Sequence, residues 1–230
     1  MNTSGWIGRA LAMAGAAFLA ISAVHAASQP LNFSVSSVKG TVTVESGGAK
    51  KAASVDDSLK SGDTVVTAAS STSDIAMNAA GRQVSAIHVW ESSSFTVVSA
   101  TLEDDGSVKG QAKLNSGSVS GSFGSATGSS VLVLDAGSSR AEIRGSFLAR
   151  ADGSLYCYDG LIRITRDGQT YNVLPGQYFD PNTTAVLPHN LPKPIFVASS
   201  TQPSAEPTQV ISPTSTTQPG TPTGGGSIKK

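Results

Sequence analysis

Between Val38 and about Leu187 the chain is a procession of short apolar-alternating runs, each closed by glycine, aspartate, serine or asparagine. Val38-Lys-Gly-Thr-Val-Thr-Val44 alternates as a half-buried strand does. Asp63–Thr67, Asp74–Met77, Val84–Trp90 and Phe95–Val98 follow at close intervals, and Ala112–Leu114, Ser130–Leu134, Glu142–Ala149, Leu155–Tyr158, Leu161–Thr165, Tyr171–Leu174 and Gln177–Phe179 continue the theme. Turn signals stand between them: Ser61-Gly62-Asp63, Asp105-Gly106, Asn115-Ser116-Gly117, Asp152-Gly153, Asp159-Gly160, Asp167-Gly168 and Pro175-Gly176. Asp-Gly suits a tight hairpin because that turn demands positive φ, which glycine adopts without steric cost. The long Leu/Glu/Lys-rich runs of a helical bundle are missing. This pattern predicts an all-β fold, a twisted β-sandwich or short β-solenoid of many short strands. Ser154–Thr165 and Gln169–Leu174 read as an antiparallel meander joined by Asp-Gly turns, and thinly apolar Asn115–Ser130 reads as a weak edge strand or a mobile loop.

The two ends read differently from this domain. Residues 1–26 have the form of a signal peptide: Arg9 precedes the apolar stretch ALAMAGAAFLAISAV, and Val24-His25-Ala26 puts small residues where a signal peptidase cuts, after Ala26 or Ala27. The alternative is an uncleaved anchor, but a spanning helix needs about 20 apolar residues and this stretch is shorter. No second apolar run exists, so the expected mature chain (domain 27–190) has no membrane span and is periplasmic or secreted. Residues 191–230 are rich in Pro, Thr, Ser and Gln and are expected to be a disordered tail with polyproline character, serving as a spacer, a site of O-glycosylation or a dispensable extension. Leu191-Pro-Lys-Pro-Ile-Phe-Val197 keeps enough apolar character to dock on the domain before the chain frees itself.

Lys plus Arg equals Asp plus Glu at 16 each, so no global field recruits nucleic acid or an anionic membrane. No catalytic set holds together either. His88 sits on a strand, on the face of Val84 and Ala86 and opposite Ile87 and Val89, while His189, between Pro188 and Asn190, is expected in solvent. No serine occupies a G-x-S-x-G elbow. Glu103-Asp104-Asp105 lacks the spacing of a calcium loop and reads as a solvated hairpin tip, and Gly121–Gly128 has no lysine or following helix to make a phosphate loop. No metal, no cofactor and no enzymatic activity are therefore expected. Cys157, the sole cysteine, shares a strand face with Leu155 and has Tyr156 and Tyr158 on the other, which makes it a core thiol flanked by exposed aromatics. Its replacement by serine is expected to be nearly neutral. A valine at Gly145 is expected to disrupt folding, because that glycine marks a bulge or close backbone approach. Arg144 beside it either bonds carbonyls or an acidic neighbour at the bend, or is simply solvated.

Taken in order, these motifs resemble the FecR domain, the periplasmic part of iron-dicitrate sensors. The V-x-G-x-V-x-V strand is matched by Val38–Val44 with Gly40, and L-x-x-G-D-x-V-x-T by Leu59–Thr67 with Gly62 and Asp63. Ser73–Met77 and Leu114–Gly117 follow, then Ile143-Arg144-Gly145-Ser146-Phe147 leading into Gly153, Tyr156–Gly160 and Leu161–Ile164, and finally Val173–Gln177. Ser146 stands for the family's usual threonine, with Phe147 directly after it. The resemblance spans about Val38 to Phe179 and implies a β fold that binds or signals without catalysis. It makes Gly40, Gly62, Asp63, Arg144, Gly145, Phe147 and Gly160 the fold-signature or partner-binding residues. Family sensors place this domain after an anti-sigma segment and a membrane span; behind a cleavable signal peptide, the expected product is a stand-alone exported module with a protein partner in the envelope. The other expectation is a module that binds glycan or peptidoglycan, with Trp90, Tyr156, Tyr158 and Tyr171 as an aromatic platform, although aromatics make up only 6% of the chain.

Overall fold

The computed structural model describes residues 28–79, 82–124 and 129–194. The signal peptide read in residues 1–26 and the tail beyond Pro194, Ile195–Val197 included, lie outside the described residues. Among those described there is no helix, and so none long and apolar enough to cross a membrane.

The chain is all-β. It opens with β1 (Gln29–Pro30), β2 (Asn32–Lys39), β3 (Val42–Ser46), β4 (Ala49–Ala52), β5 (Ser58–Leu59) and β6 (Thr64–Thr67). Its middle holds β7 (Thr72–Ala79), β8 (Arg82–Val89), β9 (Ser94–Leu102), β10 (Val108–Ser116), β11 (Ser118–Phe123), β12 (Val131–Ala136) and the long β13 (Ser139–Arg150). β14 (Leu155–Cys157), β15 (Leu161–Arg166), β16 (Gln169–Val173), β17 (Gln177–Asp180) and β18 (Ala185–Pro188) complete it.

Pairing sorts these strands into two sheets. The first runs β4-β3-β6-β9-β10-β12-β13-β15-β16, with β1 beside the end of β9. The second runs β5-β2-β7-β8-β11-β13-β14-β17-β18. In both, spatial order nearly follows chain order, because the chain steps from one sheet to the other as it advances. The step is clearest where β11 leaves for the second sheet between β10 and β12: the chain completes a full coil, so β10 and β12 pair in parallel while every other pairing is antiparallel. Alternation turns one face of each sheet inward, and a single apolar core draws Val44, Val65, Phe95, Leu114, Leu132 and Ile162 from the first sheet and Ile75, Ile87, Val119, Phe147, Leu155 and Phe179 from the second.

The corners between sheets correct the sequence reading at two places, Val38–Val44 and Asp159-Gly160, while Gly145 makes the close backbone approach expected of it. Val38–Val44 is not one strand: Gly40, at φ 78°, ends β2 in the second sheet and lets β3 begin in the first. Likewise β13 pairs with β12 and β15 through Arg144 and changes sheets at Gly145, pairing from there with β11 and then β14. Gly145 has φ 109°, and a Cβ on it would run into the carbonyl of Asp159, while one on Gly160 would run into the carbonyl of Arg144. Ser146 N–H donates to Asp159 O at 3.1 Å and Tyr158 N–H to Ser146 O at 2.9 Å, which ties the two chains at this crossing. Asp159-Gly160 is therefore a corner between sheets and not a hairpin turn, whereas Asp167-Gly168, with φ of 48° and 76°, does close the β15–β16 hairpin.

Asn115–Ser130 also departs from expectation. Its Ser118–Phe123 is β11, a central strand between β8 and β13, with Val119, Ser120 and Phe123 buried. The residues are small because space is short: a Cβ on Gly121 would lie 2.9 Å from the Ala86 carbonyl and 3.1 Å from the Phe147 ring. Low hydrophobicity here reflects tight packing, which composition alone reads as exposure. Residues 125–128 lie outside the described residues.

Candidate functional site

The signature residues go mainly to the fold. Gly40 and Gly62 are turn glycines, and Asp63 is a buried turn carboxylate that accepts the Lys60 N–H at 2.8 Å. Phe147 is fully buried in the core. Arg144, Gly145 and Gly160 meet at the β13 corner, remote in strand order from Gly40, Gly62 and Asp63. Arg144 is half-buried and its Nε, shielded from solvent, has no hydrogen-bond partner.

Chemistry-bearing side chains gather elsewhere, on the outer face of the second sheet. Cross-strand register sets one row across this face: Asp74, His88, Ser120, Leu148, Tyr156, Tyr178 and Leu187 are successive partners on β7, β8, β11, β13, β14, β17 and β18. With neighbouring strands about 4.8 Å apart, such a row extends over roughly 29 Å. The neighbours are joined chemically as well. His88 Nδ1 lies 2.6 Å from Asp74 Oδ1, and the imidazole meets Trp90 edge-on at 4.4 Å between centroids. Trp90 Nε1–H donates to Ser120 Oγ at 2.9 Å, laying the indole over β11. Tyr156 and Tyr178 stack at 4.9 Å, and the Arg150 guanidinium sits 5.2 Å from the Tyr156 ring centre, a cation–π arrangement.

His189 closes over this row, which overturns its expected place in solvent. It is half-buried, edge-on to both Tyr156 and Tyr158 at 5.4 and 5.2 Å, with Nε2 3.2 Å from the Cys157 carbonyl. Its own N–H donates to Gly176 O at 2.8 Å. The backbone bond and the aromatic faces outweigh the polar flanks that suggested exposure. Tyr156 is in consequence buried, not the exposed aromatic that alternation implies. Burial raises both phenol pKa values, Tyr156 and Tyr158, with Arg150 pulling the other way, so both remain hydroxyl donors at neutral pH.

Beside the row lies a groove of about 370 Å³. It is lined by Trp90, Ser118, Leu148, Arg150 and Tyr158 of the sheet region together with Leu191, Pro192, Lys193 and Pro194 that follow it in the chain. Trp90 and Leu191 stay 36% and 40% exposed, so the groove presents apolar surface to solvent, with cations at Arg150 and Lys193. Such a surface suits an extended ligand that offers apolar or ring faces and hydrogen-bond acceptors. Of the four aromatics read as a platform, Trp90 and Tyr158 line the groove, Tyr156 is beneath the neighbouring cover, and Tyr171 is elsewhere, packed on Phe179 at 5.0 Å.

Cys157 has no part in this surface. It is fully buried, its thiol donates to Asp159 O at 3.5 Å, and burial pushes its pKa up to about 11. Arg163, on β15, faces Glu142 of β13 at 3.6 Å. The acidic run is tied into its turn: Glu103 meets Lys109 at 3.3 Å and Asp105 accepts the Ser107 N–H at 2.8 Å. Among the described residues no cluster of His, Cys, Asp and Glu is arranged to hold a metal ion. The sequence reading missed Asp74, Ser120, Leu148, Arg150 and Tyr178. The signal available was parity: each alternates along its strand with a buried apolar neighbour, Ile75, Val119, Phe147, Ala149 or Phe179. Comparison with family models, curated proteins and solved structures found no match to this chain.

Proposed function

We propose that this chain is a non-enzymatic, FecR-like binding module, exported to the periplasm or beyond, that engages a protein partner of the cell envelope through the groove of Trp90, Leu148, Arg150 and Tyr158. The observation that carries this reading is the groove itself. It combines exposed indole and aliphatic surface with two cations, the composition of a protein-recognition surface, in which Trp, Tyr and Arg supply most of the binding energy. An extended polypeptide suits it, because prolines and large side chains stack on aromatic walls while backbone carbonyls accept from Arg150 and Lys193. The order of the motifs from Val38 to Phe179 supports the FecR-like assignment, and the form of residues 1–26 supports export.

Crosslinking capture of envelope proteins by the full chain tests the reading. One partner should be enriched by the native chain and lost on Trp90→Ala and Arg150→Ala, with the fold intact by circular dichroism. Equal capture by native and substituted chains would remove the groove from the function. Trp90 and Tyr158 in one groove also favour a second reading, in which the ligand is a glycan stacked on those rings. Retention on peptidoglycan that depends on Trp90, without a protein partner, would select it.

A further inference from the structure

The groove is basic within a neutral chain. Lys plus Arg and Asp plus Glu number 16 each in the sequence, yet Arg150 and Lys193 line the groove and no Asp or Glu does. Elsewhere on the strands basic side chains face acids: Lys109 meets Glu103 at 3.3 Å, Arg140 meets Asp135 at 3.2 Å and Arg163 meets Glu142 at 3.6 Å. Arg150 and Lys193 are both exposed, and among the described residues neither has a carboxylate within 4.0 Å or a hydrogen-bond acceptor for its side chain. The acids that act on Tyr156, Asp152 and Asp180, are taken up by their own turns. Asp152 accepts the Ser154 N–H at 2.8 Å, and Asp180 accepts the Asn182 N–H and the Thr183 hydroxyl, each at 2.9 Å. Arg150 is also held in place. Its backbone N–H donates to Ser154 O at 2.9 Å, and its guanidinium lies against the Tyr156 ring, which stacks on Tyr178. This arrangement orders the planar fork and leaves its N–H donors without a partner.

Covering this groove takes both cations out of water. A neutral occupant can offer backbone carbonyls to their hydrogens but leaves the two charges uncompensated, which is costly among Trp90, Leu148 and Leu191. A carboxylate cancels charge, accepts two parallel hydrogen bonds from a guanidinium and binds more strongly in apolar surroundings than in water. We propose that the groove takes an acidic segment of the partner protein, an extended stretch in which Asp or Glu sits between apolar residues or prolines. The inference rests on the groove being the binding site. The carboxylate takes the Arg150 fork, Lys193 adds a second positive charge, and the flanking residues lie on Trp90, Leu148 and Leu191. Recognition then needs the acid and its apolar flanks together, which excludes segments that are merely acidic or merely apolar.

Peptide libraries passed over the immobilised full chain test this. Three libraries, blocked at both termini, carry a fixed central Glu, Gln or Lys between randomised apolar residues and prolines. The Glu library should be retained about ten-fold better than the Gln library and the Lys library least, with retention falling as salt rises. Arg150→Gln should remove the preference for Glu at unchanged circular dichroism, Arg150→Lys should restore part of it, and Lys193→Gln should weaken it. Lys113→Gln, which removes an exposed cation of the first sheet, should change nothing. Equal retention of the Glu and Gln libraries, lost in both on Trp90→Ala, overturns the acidic segment and leaves the groove standing as the binding site. A Glu preference that survives Arg150→Gln, or that falls as much on Lys113→Gln, also overturns it, since the anion is then held elsewhere or by general charge. So does Arg150-dependent binding of polygalacturonate in place of the Glu library, because the occupant is then a carboxylated glycan. Retention of no library removes the acidic segment as well, and partner capture lost on Trp90→Ala then still upholds the groove.

Discussion

β13 performs two different tasks in its two halves, and the contrast separates what folds this chain from what it can bind. Its first half ends at Gly145, where the backbone crosses the Asp159-Gly160 corner with no room for a Cβ on either glycine. Its second half turns Phe147 into the core and Leu148 and Arg150 outward, onto the groove. At the corner the residue type is dictated: steric exclusion and positive φ admit glycine alone. On the outer face many residues fit the strand equally well, so Leu148, Arg150 and Trp90 are not dictated by sterics; on the proposed reading they answer to the partner.

The difference is sharpest under mutation. Gly145→Val should have the largest effect, about 3–6 kcal/mol from backbone strain and overpacking together, and should leave little folded protein in a denaturant melt. A stable Gly145→Val chain would break the corner argument. Phe147→Ala should follow at about 3–5 kcal/mol, with a matching fall in the denaturation midpoint. Cys157→Ser ranks third, at about 1–3 kcal/mol, because it buries a hydroxyl in the core. This revises the expectation of near neutrality, which located the thiol in the core but overlooked how completely it is enclosed.

Cys157 also predicts a pH dependence. Its thiol rises from an ordinary value of 9.0 to about 11 on folding, so the folded chain holds the proton more tightly than the unfolded one. The associated stability is complete below pH 9 and is lost as pH climbs towards 11, an effect of roughly 2–3 kcal/mol. Melts over that range should show a downward slope in the native chain that is shallower in Cys157→Ala, where only the raised Tyr156 and Tyr158 phenols still contribute to it. Arg150→Ala should have the smallest effect on stability, about 0.5–1 kcal/mol from the lost cation–π contact, yet abolish partner capture. A large loss of stability would place Arg150 with the corner residues instead.

The sequence shows the corner and hides the groove for the same physical reason. Gly40, Gly145 and Gly160 stand out because sterics permit no substitute, and Phe147 because alternation aims it inward. The row from Asp74 to Leu187 needs the register of seven strands, and register depends on pairings that no local pattern records. β11 was illegible because its serines and glycine mimic a loop while filling a central strand. His189 was misplaced because its shelter comes from residues more than thirty positions away in the chain, Tyr156 among them.

The way both sheets are laid down in chain order decides which strand edges are covered last. With the chain in place only as far as Phe123, β10 and β11 are the last strands of their sheets and both present unsatisfied hydrogen-bonding rims. Those rims are covered in turn by β12, on the side of β10, and by the second half of β13, on the side of β11. Until the segment between Phe123 and Arg150 takes its place, the folding domain therefore has two open strand edges at once, and truncation within that interval should leave it most prone to edge-to-edge association.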